Sequence, residues 1–302
     1  MKALVLGGNG FIGSHLVDHL LDKGHSVRVF DRGPEKYRAP ITDVDYCIGN
    51  FDDLAKLAEA LEGIDIVYHL ISTTVPSTSN KEPVYDIESN LICTVRLLEL
   101  MKKANISRLV YLSSGGTVYG VPTMSTINEN HILKPICSYG VVKVAVENYI
   151  HMYHHLYDLE YVILRVSNPY GERQGKSGVQ GVIGTFLNKV HSSETIEVWG
   201  DGSVVRDFIY ISDLAEISVR VGESSVTGVF NIGSGMGHSI KEIIDSISIV
   251  TKREVTPKYS SSRSYDVPKV VLDISKAKES FSWKANTTLV DGLAKTWHWM
   301  NK

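Results

Sequence analysis

Short apolar segments rich in β-branched residues alternate with helix-period segments along the first half of the chain. Five of these apolar segments span residues 3–6, 26–30, 64–71, 108–112 and 161–166. Such alternation predicts βαβ units and a parallel sheet. Hydrophobicity is continuous within 27–30 and 65–68, which is typical of strands covered by helices on both faces. The sequence therefore predicts a doubly wound α/β fold.

The texture of the sequence changes after about residue 168. Glycines at positions 175, 178, 181 and 184, and again between 200 and 237, break the chain into short polar segments. We expect the doubly wound domain to span residues 1–168 and a smaller α/β lobe to span 169–302. Parts of the chain after residue 200 are expected to return to the first domain.

Composition excludes several classes of function. The chain has 302 residues, a formal charge of -3 and no basic block, which argues against a nucleic-acid partner. Three widely spaced cysteines without a C-x-x-C pair predict neither a disulfide framework nor a metal site. No apolar run approaches membrane-spanning length, and the N-terminus lacks the apolar core of a signal peptide. We expect a cytoplasmic protein that binds no membrane.

The first chemical signal is Gly7-x-x-Gly10-x-x-Gly13, which lies between the first strand and an apolar helix that begins near Phe11. Glycines at this spacing let the backbone approach a pyrophosphate at the helix N-terminus. The spacing alone is weak, because residues 175–184 repeat it without a preceding strand. The context favours the first copy, which predicts dinucleotide contacts from Gly7, Gly10, Phe11, Ile12 and Gly13, and a Rossmann-type domain.

Asp31 ends the second strand, 18 residues after Gly13. A carboxylate at this place accepts the hydroxyls of the adenine ribose and repels a 2′-phosphate, so NAD is favoured over NADP. Arg32 beside it weakens that preference. Further cofactor contacts are predicted after the next two strands, from Asn50, Phe51 and Leu70.

The second signal is Tyr139-x-x-x-Lys143, whose i,i+4 spacing places both side chains on one face of a helix. A nearby cation favours phenolate, so we expect Lys143 to bring the pKa of Tyr139 towards working pH. Tyr265 and Lys269 share the spacing, but Pro268 between them excludes a helix. The first pair follows a Ser/Gly-rich turn, 112–120, at the end of a strand, where α/β sheets bind ligands.

With these motifs, the chain resembles the extended short-chain dehydrogenase/reductases, and most of all the sugar-nucleotide 4-epimerases of the UDP-galactose and UDP-N-acetylglucosamine type. The resemblance covers nearly the full length and rests on segments 7–13, 113–120, 139–143, 165–171, 199–202, 206–213 and 263–268. In combination these segments are specific for the superfamily. They are less specific for the reaction, because 4-epimerases, 4,6-dehydratases and 4-keto reductases share most of them.

The resemblance implies transient oxidation of a sugar at C4 by tightly held NAD, followed by return of hydride to the opposite face. Tyr139 would move the proton, and Lys143 would hold the nicotinamide ribose. The diphosphate of a UDP-hexose or UDP-N-acetylhexosamine would be held by Asn168, Arg206 and Arg263. The resemblance also implies a homodimer that forms through the helices predicted at 85–103 and 138–157.

This sequence departs from the family pattern at several positions. The family places a Ser or Thr hydroxyl where this chain has Gly115. Ser114 or Thr117 can supply that hydroxyl, or Tyr139 can act alone. Dehydratases carry an Asp-Glu pair at the positions of Gly116 and Thr117, so dehydration is not expected. Thr74 also stands where galactose epimerases tend to have a Lys near the cofactor.

A smaller residue, Val270, stands where hexose-only epimerases have a bulky Tyr. A small side chain there would leave space for a 2-acetamido group, which favours N-acetylhexosamine nucleotides as substrates.

Two other functions remain open. One is an NAD(P)H-dependent reductase of a dTDP-linked 4-keto-6-deoxy sugar. The other is a non-catalytic NAD-sensing scaffold, which is disfavoured because it would have no need of Tyr139 and Lys143.

Overall fold

The structure of the protein is a computed structural model that describes residues 1–175, 181–261 and 267–302. These residues form two units. The first contains Met1–Gly120, Ile132–Arg165 and Ala215–Phe230, and the second contains the described parts of Val121–His131, Val166–Leu214 and Asn231–Lys302. The domain boundary predicted at residue 168 stays a prediction.

The strands, in chain order, are β1 (Lys2–Leu6), β2 (Ser26–Asp31), β3 (Val44–Ile48), β4 (Ile66–His69), β5 (Arg108–Ser114), β6 (Glu160–Val166), β7 (Asn168–Tyr170), β8 (Glu197–Trp199), β9 (Val205–Tyr210), β10 (Gly228–Ile232), β11 (Gly237–Ser239), β12 (Lys258–Ser260) and β13 (Lys269–Val270).

The helices are α1 (Phe11–Asp22), α2 (Leu54–Ala60), α3 (Pro76–Ser79), α4 (Pro83–Asp86), α5 (Cys93–Lys103), α6 (Ser138–Tyr157), α7 (Val182–His191), α8 (Ile211–Glu223), α9 (Ile240–Thr251), α10 (Ser275–Phe281) and α11 (Leu289–Met300). A π-helical segment, Ile87–Ile92, joins α4 to α5.

A seven-stranded sheet has the strand order β10-β6-β5-β4-β1-β2-β3. The pairings from β5 to β3 are parallel, and Val5 of β1 aligns with Val29 on one side and Tyr68 on the other. All four residues of β4 are buried, as expected for a strand covered on both faces. The predicted doubly wound, Rossmann-type fold is therefore confirmed.

Parallel pairing brings the carboxyl ends of the strands to one edge of the sheet. The residues predicted to contact the cofactor follow these ends: the glycine loop follows β1, Asp31 ends β2, and Leu70 follows β4. Ser114 ends β5. The topology of the first unit thus gathers the predicted residues at a single edge.

The second unit is organised around β9. The first half of β9 pairs antiparallel with β11 and parallel with β13, whereas its second half pairs parallel with β7. A separate two-stranded parallel sheet contains β8 and β12. These short strands agree with the glycine-rich texture of this part of the sequence.

Among the described residues, no helix is both long and apolar enough to span a bilayer.

Candidate active site

The loop between β1 and α1 depends on the absence of side chains at its glycines. A Cβ on Gly13 would lie 2.1 Å from the carbonyl oxygen of Gly7, and a Cβ on Gly8 would lie 2.7 Å from the side chain of Val29. Gly7 itself adopts a φ of +84°, which favours glycine. Gly13 and Gly8 are therefore required by packing and Gly7 by backbone conformation.

Gly10 differs from these neighbours. A Cβ there would meet only the Gly7 carbonyl oxygen, at 3.2 Å, and no other atom within 4 Å. Phe11 and Ile12 follow in the first turn of α1 and are partly exposed. The N-terminus of this 12-residue helix, where N–H groups and the helix dipole favour an anion, fits the pyrophosphate of a dinucleotide.

Asp31 is held at the carboxyl end of β2. One carboxylate oxygen accepts a hydrogen bond from the backbone N–H of Asn9 at 3.1 Å, and the other accepts one from the N–H of Gly33 at 3.3 Å. The Asn9 side chain donates to the Gly33 carbonyl at 2.7 Å. These bonds fix an acidic group beside the glycine loop, while Arg32 is exposed.

The two cofactor-contacting residues predicted after β3, Asn50 and Phe51, lie in different environments. Asn50 is exposed, whereas Phe51 is buried with its ring 5.1 Å from that of His69. Burial and the positive charge of Lys143 lower the pKa of His69 to about 3, so this imidazole is neutral. Leu70 is partly exposed and donates its backbone N–H to the Leu6 carbonyl.

Tyr139 and Lys143 lie on α6, which begins at Ser138. The hydroxyl of Ser79 accepts the backbone N–H of Tyr139 at 3.1 Å, and the side-chain oxygen of Asn80 accepts that of Ser138 at 2.8 Å. Lys143 donates from Nζ to the Leu112 carbonyl at 2.8 Å, and Nζ lies 5.6 Å from the centroid of the Tyr139 ring. The helical spacing therefore places the phenol and the ammonium on one face.

The pKa of Tyr139 departs from the expectation. Burial raises it to about 12, and hydrogen bonds with Ser72 and Ser114 oppose that shift without cancelling it. Burial also lowers the pKa of Lys143 to about 8. We expected Lys143 to bring the pKa of Tyr139 towards working pH, but the net shift is upward, because burial of the phenol outweighs the influences that lower its pKa.

The hydroxyls predicted near Tyr139 differ in their partners. Ser114 lies near enough to the Tyr139 side chain to lower its pKa. The Thr117 hydroxyl is buried and has no hydrogen-bond partner among the described residues. Ser72, which the sequence analysis did not select, also lowers the pKa of Tyr139, and its hydroxyl donates to the Thr74 carbonyl at 3.1 Å. The available signal for Ser72 was its place just after β4, at the same sheet edge as Ser114.

Thr74 belongs to a buried polar cluster. Its hydroxyl donates to the Asp86 carboxylate at 2.6 Å, and the Asn90 amide donates to the same oxygen at 3.0 Å. The other Asp86 oxygen accepts the Ser138 hydroxyl at 2.7 Å. Thr74, which stands where galactose epimerases tend to have a Lys, therefore belongs to a cluster that supports the start of α6.

A cavity of about 420 Å³ lies within the second unit. Its lining is formed by β7, α7, β8 and β9 with neighbouring residues, and includes two predicted substrate-binding residues, Asn168 and Arg206. The Asn168 amide donates to the Asp207 carbonyl at 2.8 Å, and Arg206 donates to the Val267 carbonyl at 2.7 Å. The structure therefore brings these two residues to one cavity.

The same cavity contains residues that the sequence analysis did not select. Lys189 adds a second cation to that of Arg206, and four aromatic residues line the wall, Tyr170, Phe186, Trp199 and Phe208. Trp199 is 47% exposed, which is unusual for so large an apolar ring. Phe186 and Lys189 lie on α7. The helical periodicity of this segment predicts a helix, but only the position of β8 beside that helix shows that the two residues line a cavity.

Asp207 does not serve as a partner for substrate. Its carboxylate is fully buried and accepts bonds from Ser234, Gly235 and Leu272, at 2.8 to 3.3 Å. These bonds attach the chain after β10 and the chain after β13 to β9. Asp207 therefore anchors the strand that carries Arg206.

Of the two remaining predicted residues, the structure describes Val270, which lies outside the cavity lining. Val270 is 4% exposed on β13, in register with Arg206 of β9, and is absent from the residues that line the cavity in the described chain. Arg263 lies outside the described residues.

Residues 3–233 match the NAD dependent epimerase/dehydratase family. A UDP-glucose 4-epimerase of Mycolicibacterium smegmatis is 34% identical over 306 residues, which cover 98% of this chain and 97% of that protein. A dTDP-4-dehydro-6-deoxyglucose reductase of Escherichia coli is 30% identical over 301 residues, which cover 97% and 95%.

Solved structures agree over the whole chain. A UDP-glucose 4-epimerase of Thermotoga maritima with UDP-glucose has a TM-score of 0.95 and 32% identity, and it covers 100% of this chain and 99% of that one. A UDP-N-acetylglucosamine 4-epimerase of Methanobrevibacter ruminantium has a TM-score of 0.94 and 29% identity, with coverage of 99% and 98%. The Thermus thermophilus UDP-glucose 4-epimerase in complex with NAD has a TM-score of 0.93 and 29% identity, with coverage of 100% and 99%.

The fold and the glycine loop define a dinucleotide-binding enzyme of the extended short-chain dehydrogenase/reductase class. The chain belongs to the NAD dependent epimerase/dehydratase family. It is an NAD-dependent enzyme, and NAD is its cofactor, as the sequence predicts.

Proposed function

We propose that the protein is a 4-epimerase of a UDP-linked hexose or N-acetylhexosamine, with Tyr139 as the acid/base. The observation that carries this proposal is the position of Tyr139, which lies on one helical face with Lys143, its ring centroid 5.6 Å from Nζ, and near enough to Ser72 and Ser114 for both to lower its pKa. Relatives with epimerase activity in their names match over nearly the whole chain.

Bound NAD would supply the acceptor for the C4 hydride and, in its reduced form, the hydride that returns to the opposite face of the sugar. Tyr139 takes the proton of the C4 hydroxyl in the first half of the cycle and returns it in the second. The protonated Lys143 stabilises the phenolate that is required before the first of these steps and is regenerated after the second. Ser114 and Ser72 offer hydroxyls beside Tyr139, in place of the one missing at Gly115.

The cavity of the second unit fits the nucleotide end of such a substrate. Arg206 and Lys189 provide positive charge for a diphosphate, and Trp199 provides an exposed ring for a base. Strand β8 bonds to β12 on one side, as shown by the bond from Lys258 N–H to the Ile196 carbonyl. By the alternation of a parallel ladder, the backbone groups of Glu197 point to the other side, where a pyrimidine edge can pair with them.

A panel of UDP- and dTDP-sugars tests the proposed function directly. The purified protein is incubated with each sugar, with and without added NADH, and products are followed by NMR. The 4-epimerase is expected to retain NAD and convert a UDP-sugar to its C4 epimer without added cofactor. A product that forms only with stoichiometric NADH would contradict epimerisation, and no product in any incubation would favour the NAD-sensing scaffold.

A 4-keto reductase is the second candidate. It is supported by the similarity to the Escherichia coli dTDP-4-dehydro-6-deoxyglucose reductase and by the absence of a hydroxyl at Gly115. Reduction requires proton delivery from Tyr139 in one direction only, which suits a phenol whose pKa burial raises to about 12. This enzyme would consume external NAD(P)H and a dTDP-linked 4-keto-6-deoxy sugar.

Val270 is proposed to favour N-acetylhexosamine nucleotides. Replacing it with Tyr is expected to lower the rate on UDP-GlcNAc relative to that on UDP-Glc, because the added ring occupies the space proposed for the acetamido group. Rates of both reactions are compared with those of Val270→Leu, and urea unfolding checks that the buried position tolerates each change. An unchanged ratio in Val270→Tyr would contradict the proposal.

A homodimer is proposed from the apolar surface of the first unit. One face of α6 is buried, whereas the other exposes Val141, Met152 and Leu156 at 53%, 39% and 55%. Sedimentation velocity is expected to show a dimer that Leu156→Glu dissociates, while the same change at the 69% exposed Ile249 leaves it intact. A wild-type monomer at micromolar concentration would contradict this assembly.

A cytoplasmic location stays a prediction.

A further inference from the structure

Glu147 continues the stripe formed by the two proposed catalytic residues. Tyr139, Lys143 and Glu147 succeed one another at i,i+4 spacing on α6, so their side chains lie along one face of the helix. Glu147 is 6% exposed, and the proposed reaction does not use it. A carboxylate is rarely buried without a specific partner.

Two successive residues at the end of β5 bond to this stripe, and the next residue lies near it. The Leu112 carbonyl accepts a hydrogen bond from the Lys143 ammonium, the Ser113 hydroxyl donates to the Glu147 carboxylate, and Ser114 is near enough to Tyr139 to lower its pKa. Each bond constrains the sliding and rotation of α6 against β5. Ser113 lies between Leu112 and Ser114 on β5, whereas Glu147 ends the stripe on α6, so the bond between them attaches the far end of the stripe to β5.

Arg165 on β6 completes the burial of Glu147. Its guanidinium donates to the Glu147 carboxylate from Nε at 3.2 Å and from Nη2 at 2.7 Å, and Nη1 donates to the Tyr119 hydroxyl at 3.0 Å. Both members of the ion pair are about 6% exposed. A forked pair of this kind holds the carboxylate in one orientation.

The charged side chains nearest to Lys143 are carboxylates, which favour its ammonium form. Asp86, near α6, and Glu147 both favour the ammonium, whereas burial disfavours it. The facing groups on β4 and β5 are neutral, because burial lowers the pKa of His69 to about 3 and raises that of Tyr111 well above 10. Arg165 of β6 is a cation, and Glu147 bonds to it directly.

We propose that Glu147 is a positioning residue of the active site, which holds α6 in register through Ser113 and whose charge keeps Lys143 protonated. The inference rests on the proposed function, because it assigns a role around the same tyrosine and lysine. Without the carboxylate, the buried site would contain two cations, Lys143 and Arg165, and fewer anions to balance them. The ammonium would then lose its proton at a lower pH.

Glu147→Gln tests the charge while preserving the shape and a hydrogen-bonding partner for Ser113. Lys143 is titrated by NMR in protein labelled with ¹³C-lysine, without substrate, and its signal is identified by its loss in Lys143→Met. The pKa of Lys143, about 8 in the wild type, is expected to fall by roughly 1 unit in Glu147→Gln. The alkaline limb of the kcat/KM profile is expected to move to lower pH by the same amount, because turnover requires the ammonium.

Two further variants keep the proposal testable. Glu147→Asp retains the charge and is expected to restore most of the wild-type pH profile. If Glu147→Gln does not fold, the double variant Glu147→Gln/Arg165→Gln removes the ion pair without leaving an unpaired cation. It is also expected to lower the pKa of Lys143, because Glu147 influences that group more strongly than Arg165 does.

The control is Glu160→Gln, which removes a carboxylate from an exposed ion pair with Arg108 at the other end of β6. It is expected to leave the pH profile and the lysine titration unchanged. A Glu147→Gln protein that is less stable but keeps the wild-type titration and profile would show a merely structural role and overturn the proposal. A wild type without epimerase activity would contradict the proposed function instead, and the NMR titration would still decide the role of Glu147.

Discussion

Tyr139→Phe is expected to lower kcat by about 10² to 10⁴-fold, the range that general acid–base catalysis contributes. The substitution removes the only atom of Tyr139 that can move a proton and leaves the ring in place. Because the nicotinamide site and the cavity of the second unit do not depend on that hydroxyl, NAD content and nucleotide binding are expected to stay near the wild-type values. Turnover is measured by NMR, NAD content by chromatography, and UDP binding by calorimetry.

A matched control separates the proton from the loss of a hydroxyl in general. Tyr149→Phe removes a phenol from the same helix, at a residue that is 38% exposed, and is expected to retain full activity. Turnover in Tyr139→Phe within a few-fold of wild type would show that another group moves the proton. In that case Ser72 and Ser114, the hydroxyls beside the ring, would be the next residues to replace.

Gly13→Ala is expected to lower mainly the stability of the protein, whereas Gly10→Ala is expected to lower mainly its affinity for NAD. The alanine Cβ at position 13 would lie 2.1 Å from a backbone oxygen, so the loop must move, at a cost of about 3 kcal/mol in the free energy of unfolding. At position 10 it would meet one backbone oxygen at 3.2 Å. Gly10→Ala should therefore cost about 1 kcal/mol or less in stability.

The two variants are expected to differ in cofactor binding relative to stability. Gly10→Ala fills the space beside the helix N-terminus, so NAD affinity should fall by about tenfold or more, or about 1.4 kcal/mol, in a protein that remains folded. Urea unfolding gives the stability, and chromatography of the purified protein gives the NAD content. A Gly10→Ala protein with full NAD content would contradict the pyrophosphate position, and a Gly13→Ala protein as stable as wild type would contradict the close approach.

The sequence predicted the first unit well, because its signals are local. The apolar segments at 3–6 and 108–112 became β1 and β5, and the helix expected from Phe11 begins at that residue. The stripe of Tyr139 and Lys143 follows from helical periodicity alone. Contacts such as that of Ser72 with Tyr139 connect residues 67 positions apart, and no local pattern indicates them.

The pKa of Tyr139 shows why a motif does not predict electrostatics. The spacing correctly places an ammonium near the phenol, but the sign of the net shift depends on how much water surrounds both groups. Desolvation is a sum over every neighbouring atom, and burial raises the pKa of Tyr139 to about 12 despite the nearby cation. The cavity of the second unit is similar, because α7 and β8 contribute to one wall only after folding.

By itself, the sequence determined the alternation of strands and helices in the first unit, the glycine loop with Asp31 at the next strand end, and the helical face that carries Tyr139 and Lys143. These features depend on backbone geometry over a few residues, and periodicity and turn chemistry specify them. The tertiary structure alone decided which hydroxyls reach Tyr139, how burial shifts its pKa, and that Glu147 bonds both to Ser113 and to Arg165. Those outcomes depend on contacts between distant segments and on the exclusion of water, which exist only in the folded chain.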